Sequence, residues 1–399
     1  MSSFTAIRAV TDTLDALLGL NQAEDWRSFV AAARHVGSPM QNVLYADTAG
    51  HIGFIAPGRV PVRAQGDGRW PVPGWSGAYD WQGEIPFAAL PRALDPPDGR
   101  IFNANNPIVP SAYPYLLTAD WEASYRARRL EQLLDGKAYD LAGFAAIQAD
   151  QLSLLARDLL PLMLEVEALS PAAATAIAEL RAWDRVMRPD RRAPLLFAAW
   201  YRELSRLVYA DELGELFAGF WGVRPRFMDR ILKQRPGWCD DVATAEVETC
   251  AALAARALEL ALADLTRRFG ADQAGWRWGA AHPARMGHAL FEDQPLLAWL
   301  FDIAVPRGGD STTVNVAHYA QRAERQPFAS THAATFRGLF DLADPARSRF
   351  VTSTGQSGSP LSTHYRDLTA LWAAGASVTI DRESLGGEAI GRLRLLPEP

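Results

Sequence analysis

The chain has 399 residues, enough for a large core and for one big or two ordinary domains. Hydrophobic residues at 49% and charged residues at 22% describe an ordinary soluble globular protein, and a formal charge of −6 gives no footing for nucleic acid or an anionic membrane. No uninterrupted apolar run of about 18 residues predicts a membrane span, and the opening MSSFTAIRAV lacks the basic start and long apolar stretch of a secretory signal.

Residues 1–118 alternate helix and strand signals. Thr11 or Asp12 is expected to cap a helix through Leu20. Asp25 is expected to cap a second over Trp26–His35, with Trp26, Phe29, Val30 and Ala33 on one face. Asn42–Ala46 reads as a strand, Asp47–Gly50 as a hairpin turn with Gly50 suited to a positive φ, and His51–Ile55 as the returning strand. A Pro-, Gly- and Trp-laced excursion follows, and then a third strand in GRIFNANNP that ends in amides.

Residues 119–270 are helix-rich, with helices expected over Tyr125–Leu134, Pro171–Trp183, Pro194–Tyr209 and Val242–Phe269. Gly270 closes the last of them. Residues 271–399 return to short apolar runs: Thr313–Ala317, Ala334–Asp341, Phe350–Thr352 and Ser377–Ile380. No internal repeat appears. The physical reading is α+β with a helical insertion, the outer zones pairing into a common sheet.

Cys239 and Cys250, eleven residues apart, suit either a disulfide or two unrelated core thiols, and no further ligand stands at metal spacing. Thirteen tryptophans either line an apolar pocket or fill a big core. Lys137 and Lys233 are the only lysines among 40 basic residues, a bias better explained by a GC-rich genome than by a functional arginine set.

An ordered set of short segments is more specific than any one of them. It begins with Thr13–Asn21 and Asp25-Trp26, and runs through Gln41–Asp47, Gly50–Gly53, Pro71–Trp75, Trp81–Gly83, Pro86-Phe87 and Asn103–Asn106. It resumes with Gly308–Asp310, Thr313–Asn315, Thr331-His332, Gly355–Gly358 and His364-Tyr365. The set resembles the penicillin acylase family of N-terminal-nucleophile amidases, which includes cephalosporin and acyl-homoserine-lactone acylases. It matches the later part of that family's β-subunit. The resemblance implies part of the αββα four-layer sandwich of N-terminal-nucleophile (Ntn) hydrolases, built from residues 1–118 and 271–399 around a helical region 119–270.

The chemistry implied is removal of an N-acyl group from a linear amide. A serine at the start of the β-subunit attacks the carbonyl, its own α-amine or a nearby water serves as base, and the oxyanion needs donors. By match to the family's motif Asn42 is the side-chain oxyanion donor. Arg63 matches the arginine beside the nucleophile's α-amine that orients that asparagine, where a cation lowers the amine's pKa. The ordinary alternatives are a strand residue capping a turn and a surface arginine. Pro71–Trp81 is either a rim for an apolar acyl group or an ordered surface loop.

The nucleophile itself is expected well upstream of Thr13. Ser2 would become N-terminal on loss of Met1, but SSFTAIRAV aligns better with a later strand. The chain therefore reads as a β-subunit fragment, a truncated gene product or half of a split enzyme, partnered by a missing N-terminal portion or α-subunit. The alternative is a non-catalytic remnant that binds an acyl ligand or a partner subunit. No cofactor is required for the chemistry. The family's structural calcium draws mostly on the earlier portion, so no ligand is assigned here. The family is usually periplasmic or secreted, and the sequence assigns this chain no compartment.

The remaining signals are weaker. His332 either supports the site or hydrogen-bonds within the core, and the core is the reading preferred here. His282 and His288 are not at helical ligand spacing. Gly355–Ser359 lacks the second glycine of a nucleophile elbow, and Gly66-Asp67-Gly68 is a turn.

Overall fold

The structure, a computed structural model, describes residues 13–136, 138–222, 224–380 and 394. The chain divides into two compact units, Met1–Ala138 with Arg224–Arg230, and Tyr139–Val223 with Ile231–Pro399.

In the first unit, α1 (Thr13–Asn21) packs on α2 (Trp26–Ala33). Gly19 permits the approach, since a Cβ there would lie 3.0 Å from that of Ala32. A capping box starts α2: Asp25 Oδ1 accepts from Ser28 N at 2.7 Å while Ser28 Oγ accepts from Asp25 N at 3.1 Å. β1 (Val43–Ala46) and β2 (Ile52–Ile55) form the expected hairpin. Its turn is tied by Asp47 Oδ1, which accepts from Ala49 N and His51 N, and Gly50 has φ +94°. β3 (Pro61–Arg63) and β4 (Trp81–Glu84) make a two-stranded ribbon, and β5 (Arg92–Leu94) joins the free edge of β2.

Phe29 and Ala33 of α2 bury against Ile55, with Trp26 and Tyr45 around them. Gly53 makes room, because any Cβ there would collide with the Trp26 ring. The hydroxyl of Tyr45, bonded to Asp47 at 2.7 Å, is pushed up to about 12 by desolvation and then by that bond. α3 (Tyr125–Leu133) completes the unit's helices up to residue 136.

The second unit is built on helices: α4 (Leu141–Gln148), α5 (Leu154–Met163), α6 (Pro171–Ala182), α7 (Ala193–Leu213), α8 (Cys250–Phe269) and the short α9 (Trp278–Ala281). α7 and α8 pack along their lengths. Trp200, Tyr201 and Leu204 are buried on α7; Ala254, Ala257 and Ala261 form a small-residue stripe on α8. Trp200 Nε1 donates to Ala254 O at 2.8 Å.

Four strands follow: β6 (Pro283–Met286), β7 (Ile303–Pro306), β8 (Ala317–Tyr319) and β9 (Ser330–Ala333), in the order β7-β6-β9-β8. Only β6 and β9 run parallel. β10 (Phe336–Leu339), β11 (Arg349–Thr352) and β12 (Val378–Thr379) form an antiparallel sheet in that order. α10 (Pro295–Phe301) leads into β7, and α11 (Thr369–Ala374) lies on β11, where Trp372 buries with Val351 and Ala284. No helix among the described residues is long and apolar enough to cross a membrane.

Several expectations are corrected. Each sheet draws its strands from one unit, so the described strands of the outer zones do not share a sheet. Nor do the zones 1–118, 119–270 and 271–399 coincide with the two units. The helical zone and the last zone merge because their polar groups interlock: Gln148 Nε2 donates to Gly338 O, and Ser153 Oγ donates to Asp310. The third strand is not Ile101–Asn106, which is a turn-rich loop, but β5. Helix α8 starts at Cys250 rather than Val242, since Thr249 caps it and Glu248 is occupied by Asp241 N. Cys239 and Cys250 form a disulfide. Trp200, Trp276, Trp278 and Trp372 fill the core, whereas Trp70, Trp75 and Trp299 are exposed. Ser2, Thr11 and Asp12 lie outside the described residues.

Candidate active site

Asn42 sits immediately before β1, and its position is fixed from both sides. Gln41 N donates to Pro57 O at 3.3 Å, which carries the β1–β2 pairing two residues beyond the strands. Behind it Met40 packs onto Gly58, where a Cβ would approach the Met40 backbone to 2.8 Å. The Asn42 carboxamide is half-buried, and its Nδ2 donates to Asn103 Oδ1 at 3.1 Å.

Asn103 is anchored in turn. Its Oδ1 also accepts from Asn105 N at 3.0 Å, closing a tight turn in which Asn105 adopts φ +61°. Asn106 Oδ1 accepts from Ala104 N at 3.0 Å, Glu122 N donates to Asn105 O, and Arg126 Nη2 donates to Asn105 Oδ1 at 2.9 Å. The Nδ2 of Asn103 is buried and has no partner. The amide run that reads in sequence as the end of a strand is thus a cradle for the Asn42 side chain. One N–H of Asn42 is spent on Asn103, and among the described residues the other has no partner.

Arg63 ends β3 at an irregularity in the β3–β4 register. Its guanidinium lies over Gly68, where a Cβ would come within 2.9 Å of Nη2, and Gly68 itself has φ +80°. It lines a cleft of about 510 Å³ together with Asp67, Arg69 and the segment 116–120. Asp67 is engaged by Arg69 (Nε to Oδ2, 2.7 Å), whose hydrogen bond holds the carboxyl below its usual range. Arg63 makes no hydrogen bond to Asn42, and Asn42 is not in the wall of its cleft. In this structure Asn103 holds the Asn42 side chain.

The histidines divide by role. His332 is exposed on β9, its ring 5.5 Å from His318, which corrects the expectation of a core residue. His282 is the core histidine instead. It stacks on Trp278 at 4.3 Å and bonds Phe328 O through Nδ1 at 2.6 Å, and burial lowers it to about 4. His51 Nδ1 lies 2.7 Å from Asp95, whose hydrogen bond raises its pKa. His288 Nε2 lies 3.1 Å from Gly358 O. Gly355–Ser357 is a loop bonded to the 364–365 backbone rather than a strand-to-helix elbow.

Comparison with known proteins identifies the family. The penicillin amidase family model matches residues 2–384. The chain belongs to the penicillin amidase family.

It is 31% identical over 97% of its length to an acyl-homoserine lactone acylase, QuiP, of Pseudomonas putida. To a penicillin acylase 2 proenzyme of Pseudomonas sp. strain SE83 it is 32% identical over 98%. Both matches cover 50% of the relative, so the chain spans about half the length of these curated relatives. A solved penicillin G acylase from Alcaligenes faecalis superposes with a TM-score of 0.67 at 23% identity, covering 97% of this chain and 73% of that one. The fold is therefore the Ntn-hydrolase fold of penicillin G acylase.

The Asn42–Asn103 pair is the side-chain amide contact that the structure adds to the sequence pattern. Sequence reading quoted Asn103 as part of the family pattern but gave it no role; the run Asn103–Asn106 was the available signal. Among the described residues no group of three or more His, Cys, Asp or Glu side chains is placed to hold a metal ion. No calcium ligand is assigned to this chain.

Proposed function

We propose that this chain forms part of an amidohydrolase that removes N-acyl groups from linear amides, the class to which its penicillin acylase and acyl-homoserine lactone acylase relatives belong by name. Asn42 supplies the side-chain hydrogen bond to the oxyanion. Arg63 is the cation of the nucleophile's surroundings. The observation that carries the reading is the Asn42 carboxamide, bonded through one N–H to Asn103 at 3.1 Å at the mouth of β1.

The reaction begins when a serine Oγ, supplied from outside the residues matched here, attacks the amide carbonyl and passes its proton to the α-amine. Charge collects on the carbonyl oxygen, where Asn42 and a backbone N–H donate to it. Collapse breaks the C–N bond, and the leaving amine takes the proton. Water then hydrolyses the acyl ester by the same steps. The chemistry calls on no cofactor. The partners are a small N-acyl amide and the nucleophile-bearing portion, which relatives of twice this length make reasonable. Trp75, exposed within the 71–81 excursion, and Trp70, exposed just before it, offer apolar surface to an acyl group.

The test is hydrolysis of a phenylacetyl or fatty-acyl anilide by the chain alone and by the chain assembled with the nucleophile-bearing portion. Turnover is expected only in the assembly. Turnover by the chain alone that survives Ser2→Ala would overturn the placement of the nucleophile. No turnover in either would favour a binding remnant.

A further inference from the structure

In the second unit two buried cations have no carboxylate partner among the described residues. Arg307 follows β7 and is 5% exposed; Arg337 lies in β10 and is 9% exposed. Both guanidiniums stand on the indole of Trp372, their Cζ atoms 4.3 and 5.3 Å from its ring centroid. Arg307 Nη2 donates to Asn315 Oδ1 at 2.6 Å and to Val316 O at 3.3 Å. Arg337 Nη2 donates to Trp372 O at 2.7 Å. Every one of these acceptors is neutral. The Nε of each arginine is buried with no partner, and so is the hydroxyl of Thr369, one turn before Trp372 on α11.

The fold treats its other deeply buried arginine differently. Arg202 is met by the carboxylates of Glu203 and Glu324 and by the carbonyl of Gln321. An ion taken from water without a counter-charge costs several kcal/mol, and two like charges on one ring add their repulsion. The attraction of each guanidinium for the indole face offsets only part of that. Burial and the nearby Arg337 push Arg307 down to about 10, the mark of a charge that lacks compensation. Unfilled donors and uncompensated charge call for the same thing, an anion. Exposures of 5% and 9% leave no face for a docking chain, so the anion is small.

We propose that the Arg307–Trp372–Arg337 cluster binds a small monatomic anion, chloride being the abundant one, through the unfilled Nε donors. The site lies outside the reading of function given above and does not depend on it.

Two measurements on the unaltered chain test this. One is melting temperature against chloride at constant ionic strength, balanced with gluconate. The other is anomalous scattering from crystals in which bromide replaces chloride. The expected result is a saturable rise in Tm, on the order of 5 °C at saturation, and a bromide peak within hydrogen-bond distance of Arg307 Nε or Arg337 Nε. Arg307→Gln is expected to remove the saturable response. A Tm indifferent to the choice of anion, with no bromide peak at the pair, would overturn the proposal even if Arg307→Gln fails to fold.

Discussion

The Asn42 carboxamide is held by Asn103 at 3.1 Å, and under the proposed function that contact would make Asn103 a positioning residue with a distinct kinetic signature. Without it the Asn42 side chain can rotate away from the oxyanion, and a displacement of about 1 Å costs up to about 100-fold. In the assembled enzyme, Asn103→Ala is expected to lower kcat by about 10- to 100-fold with little change in KM. Asn103→Asp keeps an acceptor for Asn42 Nδ2 and is expected to recover most of the loss. Equal kcat values for wild type and Asn103→Ala would contradict the role. His282 gives a second residue-scale prediction. Its folded pKa, about 4, lies below the ordinary 6.5, so the unfolded chain takes up the proton first as pH falls. Stability is therefore full above about pH 6.5 and declines toward pH 4, by a total on the order of 3 kcal/mol. In urea titrations His282→Phe, which keeps an aromatic ring on Trp278, is expected to flatten that decline although its overall stability is lower. At this scale the placement of Asn42 beside the hairpin strand was legible, because the Asn42–Ile55 pattern is local. The Asn42–Asn103 contact was not, because the two residues are 61 apart and the run Asn103–Asn106 reads in sequence as the end of a strand rather than as the turn it forms.

At the scale of elements, the loop from Arg307 to Val316 repays the most attention. Its Thr-Val-Asn-Val-Ala alternation reads as a strand over Thr313–Ala317, yet only Ala317 begins one, β8. The polar residues go instead into a buried knot. Asp310 Oδ1 accepts from Thr312 N at 2.6 Å and from its hydroxyl at 2.8 Å, and Asp310 Oδ2 accepts from Ser153 at 2.9 Å. Burial pushes the Asp310 carboxyl upward against these bonds. Periodicity could not reveal this, since side-chain bonding to a partner from a distant helix overrides local strand preference. The glycines of the motif have a packing reason. Gly309 has φ +83°, and a Cβ on it would collide with Asn315 O. Gly309→Ala is expected to destabilise the second unit by about 3 kcal/mol or more, from left-handed strain plus displacement of a backbone carbonyl. A chemical-denaturation midpoint equal to wild type would contradict this. The long helices were read closely because an apolar stripe over three or more turns survives any context. The start of α8 was missed because Thr249 and the Cys239–Cys250 disulfide set it, not the apolar pattern that continues upstream.

For the whole molecule, family membership was legible because segments spread from Thr13 to Tyr365 keep their order, although each alone is weak. The division into units was not legible, because it follows interlocking of distant elements rather than composition. The chain belongs to the penicillin amidase family, has its fold and spans about half the length of the curated relatives it matches. What that leaves to chemistry is which side chain stabilises the oxyanion. The direct measurement is kcat for wild type and Asn42→Ala in the assembled enzyme, with KM and Tm taken alongside. The account predicts a fall in kcat on the order of 10²–10³ with Tm and KM nearly unchanged, because the lost bond strengthens only as charge develops. An Asn42→Ala enzyme within a few-fold of wild-type kcat would contradict it and move the oxyanion donor elsewhere.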